Sequence, residues 1–143
     1  MYVTQVDFGT PSFDELIYLR DLLLRKPIGL EFTPDQLSIE YTSTHFAAYS
    51  DDDVLLGTLV MKPLDDDQIK MRQVAVFPEF QKMGVGQKMV AESEVFSKEQ
   101  GFKEIVLSAR VPAVPFYEML GYEVVTDMYE EVGIKHYGMR KGM

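Results

Sequence analysis

Hydrophobic and polar positions along this chain follow the patterns of a domain that mixes α-helices with β-strands. Apolar and alternating runs bounded by turn residues predict seven strands, at residues 2–8, 45–49, 54–61, 68–77, 104–109, 122–125 and 134–140. Apolar residues at helical spacing predict three helices, which begin at Phe13, run from Gly86 to about Gly101, and cover residues 114–120. A short helix capped by residues 33–36 is an alternative for the ambiguous residues 30–43. The expected fold class is α/β (α+β), a mixed central sheet of about six to seven strands flanked by about four helices.

The first helix has its own signals for where it begins and ends. Residues Ser12 to Glu15, directly after Pro11, fit a capping box, so the helix is expected to start at Phe13. Pro27 and Gly29 are expected to end it. The stripe expected to face the core consists of Phe13, Leu16, Ile17, Leu23 and Leu24.

Charge restricts the partners that this protein can have. The chain has 143 residues, with 14 basic and 23 acidic side chains and a formal net charge of -9. Such a chain repels the phosphates of nucleic acids and of anionic membranes at long range, so neither is expected as a partner. By itself the acidic charge would favour polyamines or other basic substrates. A small phosphate ligand is still compatible with it, because backbone amides can supply the attraction.

Features missing from the sequence argue against a metal site, a secreted protein and a membrane-spanning protein. The chain has no cysteine and only two histidines, His45 and His136, so no metal site is expected. The acidic triplets at residues 51–53 and 65–67 are expected to be solvated turns, because neither has the further ligands of a calcium loop. No signal peptide is apparent at the N-terminus, and no apolar run approaches the ~20 residues of a membrane span. We therefore expect a cytoplasmic protein with a single domain over residues 1–143.

A pair of glycines stands where a predicted strand gives way to a predicted helix. In "QVAVFPEFQKMGVGQKMV", residues 73–90, the apolar strand is followed by Gly84 and Gly86 at the mouth of the helix. A helix N-terminus has free N–H groups and a positive dipole end, so it can hold phosphate. Gln87 rules out a P-loop, and Met89 stands where a dinucleotide fingerprint needs a third glycine. Glycine spacing alone leaves open a second reading, in which the pair serves packing.

Two longer motifs give a more specific indication. Gln81-Lys82-Met83-Gly84-Val85-Gly86 matches Gln/Arg-x-x-Gly-x-Gly/Ala, and about thirty residues later comes Ala113-Val114-Pro115-Phe116-Tyr117-Glu118-Met119-Leu120-Gly121-Tyr122. In both motifs the chain resembles the GNAT family of N-acetyltransferases. The resemblance is specific from about residue 73 to 125, and the order of strands and helices extends it over the whole chain. Residues 132–139 further resemble a subgroup of small bacterial members.

The resemblance implies acetyl-CoA as co-substrate, and no metal. Backbone N–H and C=O groups of Val74 and Val76 would bind the acetyl carbonyl and the pantetheine arm, on a strand that splays from its neighbour. Amides of residues 82–87 would bind the pyrophosphate. The implied cofactor-binding residues are Val74, Ala75, Val76, Gln81, Lys82, Met83, Gly84, Val85, Gly86, Gln87, Arg110 and Tyr117.

The resemblance also suggests catalytic residues. Tyr117 would be the general acid that protonates the departing sulfur, and the alternative is that it only packs beside Phe116. His136 is a candidate general base on the last strand, with a water chain to solvent as the alternative. Arg110 stands where many relatives have asparagine, and it would meet either a cofactor phosphate, a substrate carboxylate or a surface ion-pair partner. His45 is expected to be structural.

The function that follows is transfer of acetyl from acetyl-CoA to a primary amine of a small molecule or peptide, by direct attack. A non-catalytic acyl-CoA sensor or regulatory module on the same fold is the alternative, because fold does not fix function. The acceptor amine is not identified by the sequence. A homodimer is the assembly that we consider.

Overall fold

The computed structural model describes residues 1–30, 32, 36–37 and 39–143. Of the helix cap considered at residues 33–36, residues 33–35 lie outside the described residues. The strands are β1 (Tyr2–Val6), β2 (Thr44–Tyr49), β3 (Leu55–Pro63), β4 (Gln68–Val76), β5 (Glu104–Arg110), β6 (Glu123–Val124), β7 (Tyr129–Glu131) and β8 (Ile134–Gly142). The α-helices of the described part are α1 (Pro11–Arg20), α2 (Val85–Glu99) and α3 (Val114–Met119).

The eight strands of the described residues belong to one mixed sheet, in the order β1-β2-β3-β4-β5-β8-β6, with β7 paired to β8. Strands β4 and β5 are parallel, and every other neighbouring pair is antiparallel. The mixed α+β class is confirmed, although the sheet has one strand more than the seven that the sequence predicts. The additional strand is β7, which is only three residues long and carries no alternating pattern.

Helix α1 begins earlier than predicted. The side chain of Thr10 accepts a hydrogen bond from the Phe13 N–H at 3.2 Å, and Pro11 occupies the first helical position. The N-cap is therefore Thr10, and the predicted capping box at Ser12 is wrong. After Arg20 the helix continues as a π-helical turn (Asp21–Arg25) and a 3-10 turn (Lys26–Ile28), and it ends at Gly29 with φ 75°.

Part of the predicted stripe of α1 differs as well. Phe13 and Leu16 are buried, but Ile17, Leu23 and Leu24 are only half-buried. Leu19 and Arg20 are buried instead. The π-helical turn changes which side chains face the sheet beyond Arg20, because it adds one residue to a helical turn.

The helices cover opposite faces of the sheet. On one face, α2 and α3 close a core whose buried members include Phe46, Leu59, Met61, Ile69, Met71, Val85, Met89, Val90, Ile105, Leu107, Ala109, Tyr117 and Met139. On the other face, α1 packs with Phe13 edge-on against His45, their ring centroids 4.8 Å apart. Alternate strand residues therefore point to different layers, as the strand period of two requires. None of the described helices is both long and apolar enough to cross a bilayer.

A charged network is buried under α1. Arg20 is 1% exposed, and its guanidinium pairs with the Glu40 carboxylate at 2.9 Å and donates to Gln73 Oε1 at 2.5 Å. His45 is also buried, with Nε2 3.0 Å from the Glu40 carbonyl oxygen, and burial lowers its pKa. The structural role expected for His45 agrees with this position.

Candidate active site

The site begins where two parallel strands part. The pairing of β4 with β5 runs from Gln68 opposite Glu104 to Met71 opposite Leu107 and stops there. Both strands continue, β4 to Val76 and β5 to Arg110. Among the residues that the structure describes, residues 72–76 of β4 therefore have no partner strand on their β5 side, and a gap opens through the sheet.

An irregularity in β4 coincides with the start of this gap. The register between β3 and β4 shifts by one residue between Thr58 and Val60, which is a β-bulge. Gln73 lies in the bulge with φ 50°, a left-handed conformation that is uncommon for a residue other than glycine. The bulge redirects the backbone of Val74, and the bond from Arg20 fixes the Gln73 side chain.

A cleft of about 310 Å³ occupies the gap. It passes from the α3 side of the sheet, where Ala113 and Tyr117 line it, to the α1 side, where Arg72 and His136 line it. Its wall includes Leu24, Arg25, Ile28, Leu30, Lys70, Met71, Arg72, Gln73, Val74, Leu107, Ser108, Ala109, Arg110, Ala113, Tyr117, Glu131, Val132 and His136. Four of the sequence-predicted residues meet here: Val74, Arg110, Tyr117 and His136.

The two glycines at the mouth of α2 have different roles. Gly84 is the N-cap with φ 81°, no side chain caps the helix, and a Cβ built there meets no atom within 4 Å. The N–H groups of the first turn of α2 have no intrahelical acceptor, so Gly84 opens them to solvent. A Cβ at Gly86 would instead lie 3.3 Å from Phe116 Cζ. The packing interpretation therefore holds for Gly86, while Gly84 exposes backbone.

The loop before Gly84 reaches back to the strand. Gln81 Nε2 donates to the Val76 carbonyl oxygen at 3.1 Å. A carbonyl oxygen has two lone pairs, so the Val76 oxygen can accept a hydrogen bond from a ligand beside the one from the Gln81 amide. Lys82 is exposed, with φ 63°.

Tyr117 projects from α3 into the core and the cleft. Its ring contacts those of Phe116 and Tyr122, with centroids 5.0 and 5.8 Å away, and the residue is 7% exposed. Within the described part of the chain its hydroxyl has no hydrogen-bond partner. Burial raises the pKa of Tyr117 to about 12, because the phenolate would lose its hydration. The hydroxyl therefore keeps its proton at neutral pH and is able to donate it within the cleft.

His136 lies on β8 beside the end of β5. Its Nδ1 is 2.8 Å from the Ile134 carbonyl oxygen, which can only accept, so Nδ1 carries the hydrogen. In the neutral ring Nε2 then has the free lone pair that a base requires. The ring stacks on Tyr129 at 6.0 Å between centroids, and the Tyr129 hydroxyl donates to Ser108 Oγ at 2.5 Å.

Arg110 is half-buried at the end of β5. One of its Nη atoms donates to the Leu24 carbonyl oxygen at 3.4 Å, and it makes no ion pair with any residue that the structure describes. The surface ion pair considered from the sequence is thus not present among the described residues.

Several lining residues were not predicted from the sequence as parts of a site. Lys70 and Ser108 lie on strands whose alternation is typical of an ordinary solvent face. Only the divergence of β4 from β5, which sequence patterns do not show, converts that face into a cleft. Tyr129, whose ring stacks on His136, lies on β7, a strand that the sequence does not predict. No three His, Asp or Glu side chains of the described residues cluster as metal ligands.

Comparison with known proteins identifies the fold. Residues 31–143 match the acetyltransferase (GNAT) domain family. The YyaT protein of Bacillus subtilis is 31% identical over 72 residues, which are 50% of this chain and 49% of that protein, so the chain spans about half of that relative's length.

Two solved structures share the architecture at low sequence identity. A GNAT family acetyltransferase from Elizabethkingia anophelis with acetyl-CoA bound has a TM-score of 0.75 and 16% identity, covering 99% of this chain and 97% of that one. The aminoglycoside 6'-N-acetyltransferase from Enterococcus faecium has a TM-score of 0.79 and 18% identity, with coverage of 99% and 97%. The split sheet, the glycine turn and the match over residues 31–143 agree, and the chain belongs to the GNAT acetyltransferase family.

Proposed function

We propose that this protein transfers acetyl from acetyl-CoA to the primary amine of an acceptor by direct attack. The observation that carries the proposal is the cleft through the split sheet, which is lined by both Tyr117 and His136. The structure of the relative with acetyl-CoA bound supports acetyl-CoA as the donor substrate.

The donor substrate would lie along the end of β4 and the mouth of α2. The backbone of residues 74–76 would hold the acetyl and pantetheine portions, since that edge has no partner strand. Amides of residues 82–87 would bind the pyrophosphate, because a helix N-terminus attracts anions. Gly84 fits this role, since its surroundings are open where a side chain would otherwise stand.

The chemistry assigns one proton to each catalytic residue. His136 Nε2 accepts a proton from the acceptor ammonium, which leaves a free amine. The amine nitrogen forms a bond to the thioester carbonyl carbon, and the carbon–sulfur bond breaks with its electron pair on sulfur. Tyr117 donates its hydroxyl proton to that sulfur and regains one from the attacking nitrogen. The products are an amide, free CoA thiol and one proton, which His136 releases to water.

Substitution of Gly84 by alanine is expected to weaken acetyl-CoA binding more than the same change at Gly101. Gly84 and Gly101 lie at opposite ends of α2, with φ of 81° and 90°, and a Cβ at either meets no atom within 4 Å. Both variants therefore carry the same kind of backbone strain, and only Gly84 adjoins the proposed pyrophosphate site. Calorimetric titration with acetyl-CoA measures the difference, and equal affinities for the two folded variants would contradict the site.

Replacement of His136 by glutamine is expected to lower kcat/KM by about 10²–10⁴-fold if the imidazole is the base. A water chain to solvent would need no imidazole, so it predicts a much smaller loss. Tyr129→Phe is the matched control, because it keeps the ring stacked on His136 and removes only the hydroxyl bonded to Ser108. Steady-state kinetics at saturating acetyl-CoA separates the two routes.

The overall proposal is tested by measuring CoA release over a panel of amines. Release that requires both an amine and acetyl-CoA supports transfer. A protein that binds acetyl-CoA with the expected Gly84 dependence but acetylates no amine would be the sensor instead, and one that does not bind it would have neither function.

A further inference from the structure

One side of the cleft is cationic although the chain as a whole is acidic. Met71, Leu107 and Ala109 point into the core under α2 and α3. The residues directly before and after them on β4 and β5 therefore point to the opposite side of the sheet, since successive strand residues alternate. Those residues include Lys70, Arg72, Ser108 and Arg110, all of which line the cleft.

These cations lack acidic partners. Lys70, Arg72 and Arg110 are each half-buried, and none makes an ion pair with the residues that the structure describes. Among the described lining residues Glu131 is the single acid, and it is exposed at the rim. Arg72 also acts on the buried Arg20, whose pKa is lowered first by burial and further by the charge of Arg72. The cleft thus concentrates positive charge that no described carboxylate neutralises.

The net charge of -9 does not cancel this local effect. Charges on the protein surface are screened beyond about 8–10 Å at physiological ionic strength, whereas half-buried groups are screened much less. A ligand inside the cleft therefore responds mainly to the nearby guanidinium and ammonium groups. A basic acceptor such as a polyamine would be repelled there, contrary to what net charge alone suggests.

The donor's phosphates do not explain the positions of Lys70 and Arg72. Arg72 lies four residues before Val76, which is roughly 13 Å along an extended strand, and Lys70 lies farther still. The glycine turn that would hold the pyrophosphate begins beyond Val76. Lys70 and Arg72 are also on the face away from α2, whose N-terminus receives those phosphates.

We propose that the cationic side of the cleft binds an acceptor that carries, besides its amine, an anionic group: a carboxylate or a phosphate. The proposal rests on the proposed acetyl transfer and defines its acceptor class. Arg72 and Arg110 suit either group, because a guanidinium can bind carboxylate and phosphate oxygens with two parallel hydrogen bonds. His136 lines the same cleft beside Arg110, its register partner on β5, so an amine near its Nε2 would leave the acid within reach of the arginines.

Matched acceptors test the proposal. L-phenylalanine and L-phenylalaninamide differ in the carboxylate, and phosphoethanolamine and ethanolamine differ in the phosphate; spermidine and kanamycin are cationic comparators. At saturating acetyl-CoA the acidic member of at least one pair should have a kcat/KM about 10-fold to 100-fold above its neutral partner, the range of a hydrogen-bonded ion contact. The pair that shows the preference distinguishes carboxylate from phosphate.

Variants show whether the named cations cause the preference. Arg72→Gln and Arg110→Gln should raise the KM of the preferred acidic acceptor and leave both the KM of its neutral partner and that of acetyl-CoA unchanged. Lys98→Gln, at the exposed end of α2, changes the net charge equally and is the control. If both variants raise the KM of acetyl-CoA instead, the cations serve the donor and the proposal is wrong.

The remaining outcomes also decide. Better turnover of spermidine or kanamycin than of the acidic amines would overturn the acceptor class and leave acetyl transfer intact. If no amine in the panel is turned over, binding affinities for the CoA-bound protein replace kinetics. The ligands are then two matched pairs, N-acetylphenylalanine with its amide and N-acetylphosphoethanolamine with N-acetylethanolamine. Equal affinity within both pairs overturns the proposal. Failure to bind acetyl-CoA at all is the separate failure of the proposed function.

Discussion

Substitution of Tyr117 by phenylalanine is expected to lower kcat by about 10²–10⁴-fold, because it removes the proposed proton donor to the departing sulfur. The loss corresponds to about 3–5 kcal/mol of activation free energy. Affinity for acetyl-CoA should change little, since the hydroxyl matters most once negative charge develops on sulfur. The ring contacts with Phe116 and Tyr122 remain, so the fold should be preserved.

Tyr122→Phe is the matched control for this variant. Tyr122 is also buried, and its hydroxyl donates to Glu94 at 3.4 Å rather than lining the cleft. Single-turnover kinetics and circular dichroism on both variants separate chemistry from folding. A wild-type kcat for Tyr117→Phe, where chemistry limits the rate, would assign the proton to water or another group.

The pH profile gives the same hypothesis a second check. Because burial raises the pKa of Tyr117 to about 12, its acid form persists well above neutral pH. Activity that depends on this acid should therefore not fall with an ionisation near the ordinary phenol pKa of about 10. A fall in activity near pH 10 that is seen in the wild type and not in Tyr117→Phe would contradict the burial of this phenol.

Substitution of Arg20 by methionine is expected to lower the free energy of unfolding by about 3–5 kcal/mol, because Glu40 would keep a buried carboxylate without its cation. Arg20 is 1% exposed, and the pair is 2.9 Å apart. A loss of this size is a large fraction of the roughly 5–15 kcal/mol that stabilises a typical domain. Urea unfolding, which does not depend on activity, measures it.

Two further variants distinguish charge from packing. Arg140→Met removes an ion pair to Glu104 and Glu123 from a side chain that is 41% exposed, and it should change stability little. The double variant Arg20→Met, Glu40→Leu removes both buried charges and should recover most of the lost stability. If it is no more stable than Arg20→Met alone, the cost lies in packing rather than in the uncompensated carboxylate.

Strands and helices could be predicted from the sequence where a few neighbouring residues determine them. The limits of the seven predicted strands agree with the structure within two residues, because each of these strands has an alternating or an apolar pattern in the sequence. Gly84 stands out in the sequence because it belongs to a glycine pair where a predicted strand gives way to a predicted helix. The N-cap was assigned to Ser12 instead of Thr10, since two hydroxyl residues flank Pro11 and only the fold selects between them.

Features that depend on distant contacts could not be predicted. Arg20 looks like a solvated charge on an amphipathic helix, and its partner Glu40 lies in the segment that sequence left ambiguous. Likewise Lys70 and Arg72 resemble the exposed side of a half-buried strand. Lys70 and Arg72 line a cleft only because β4 diverges from β5 beside them, and that divergence is a tertiary property with no local sequence pattern.

The divergence has a consequence for how substrate range can change. Before they separate, β4 and β5 are joined by four register pairs. Two of these pairs consist of buried core residues, Ile69 with Ile105 and Met71 with Leu107. Backbone pairing sets the spacing of the strands here, and the packing of these apolar side chains contributes to the angle at which the strands leave each other. Substitutions of one aliphatic residue by another in this part of the core ordinarily count as neutral, but here they would change the shape of the cleft. Ile69 and Ile105 do not line the cleft, so a substitution at either of them can change specificity without changing a cleft-lining residue.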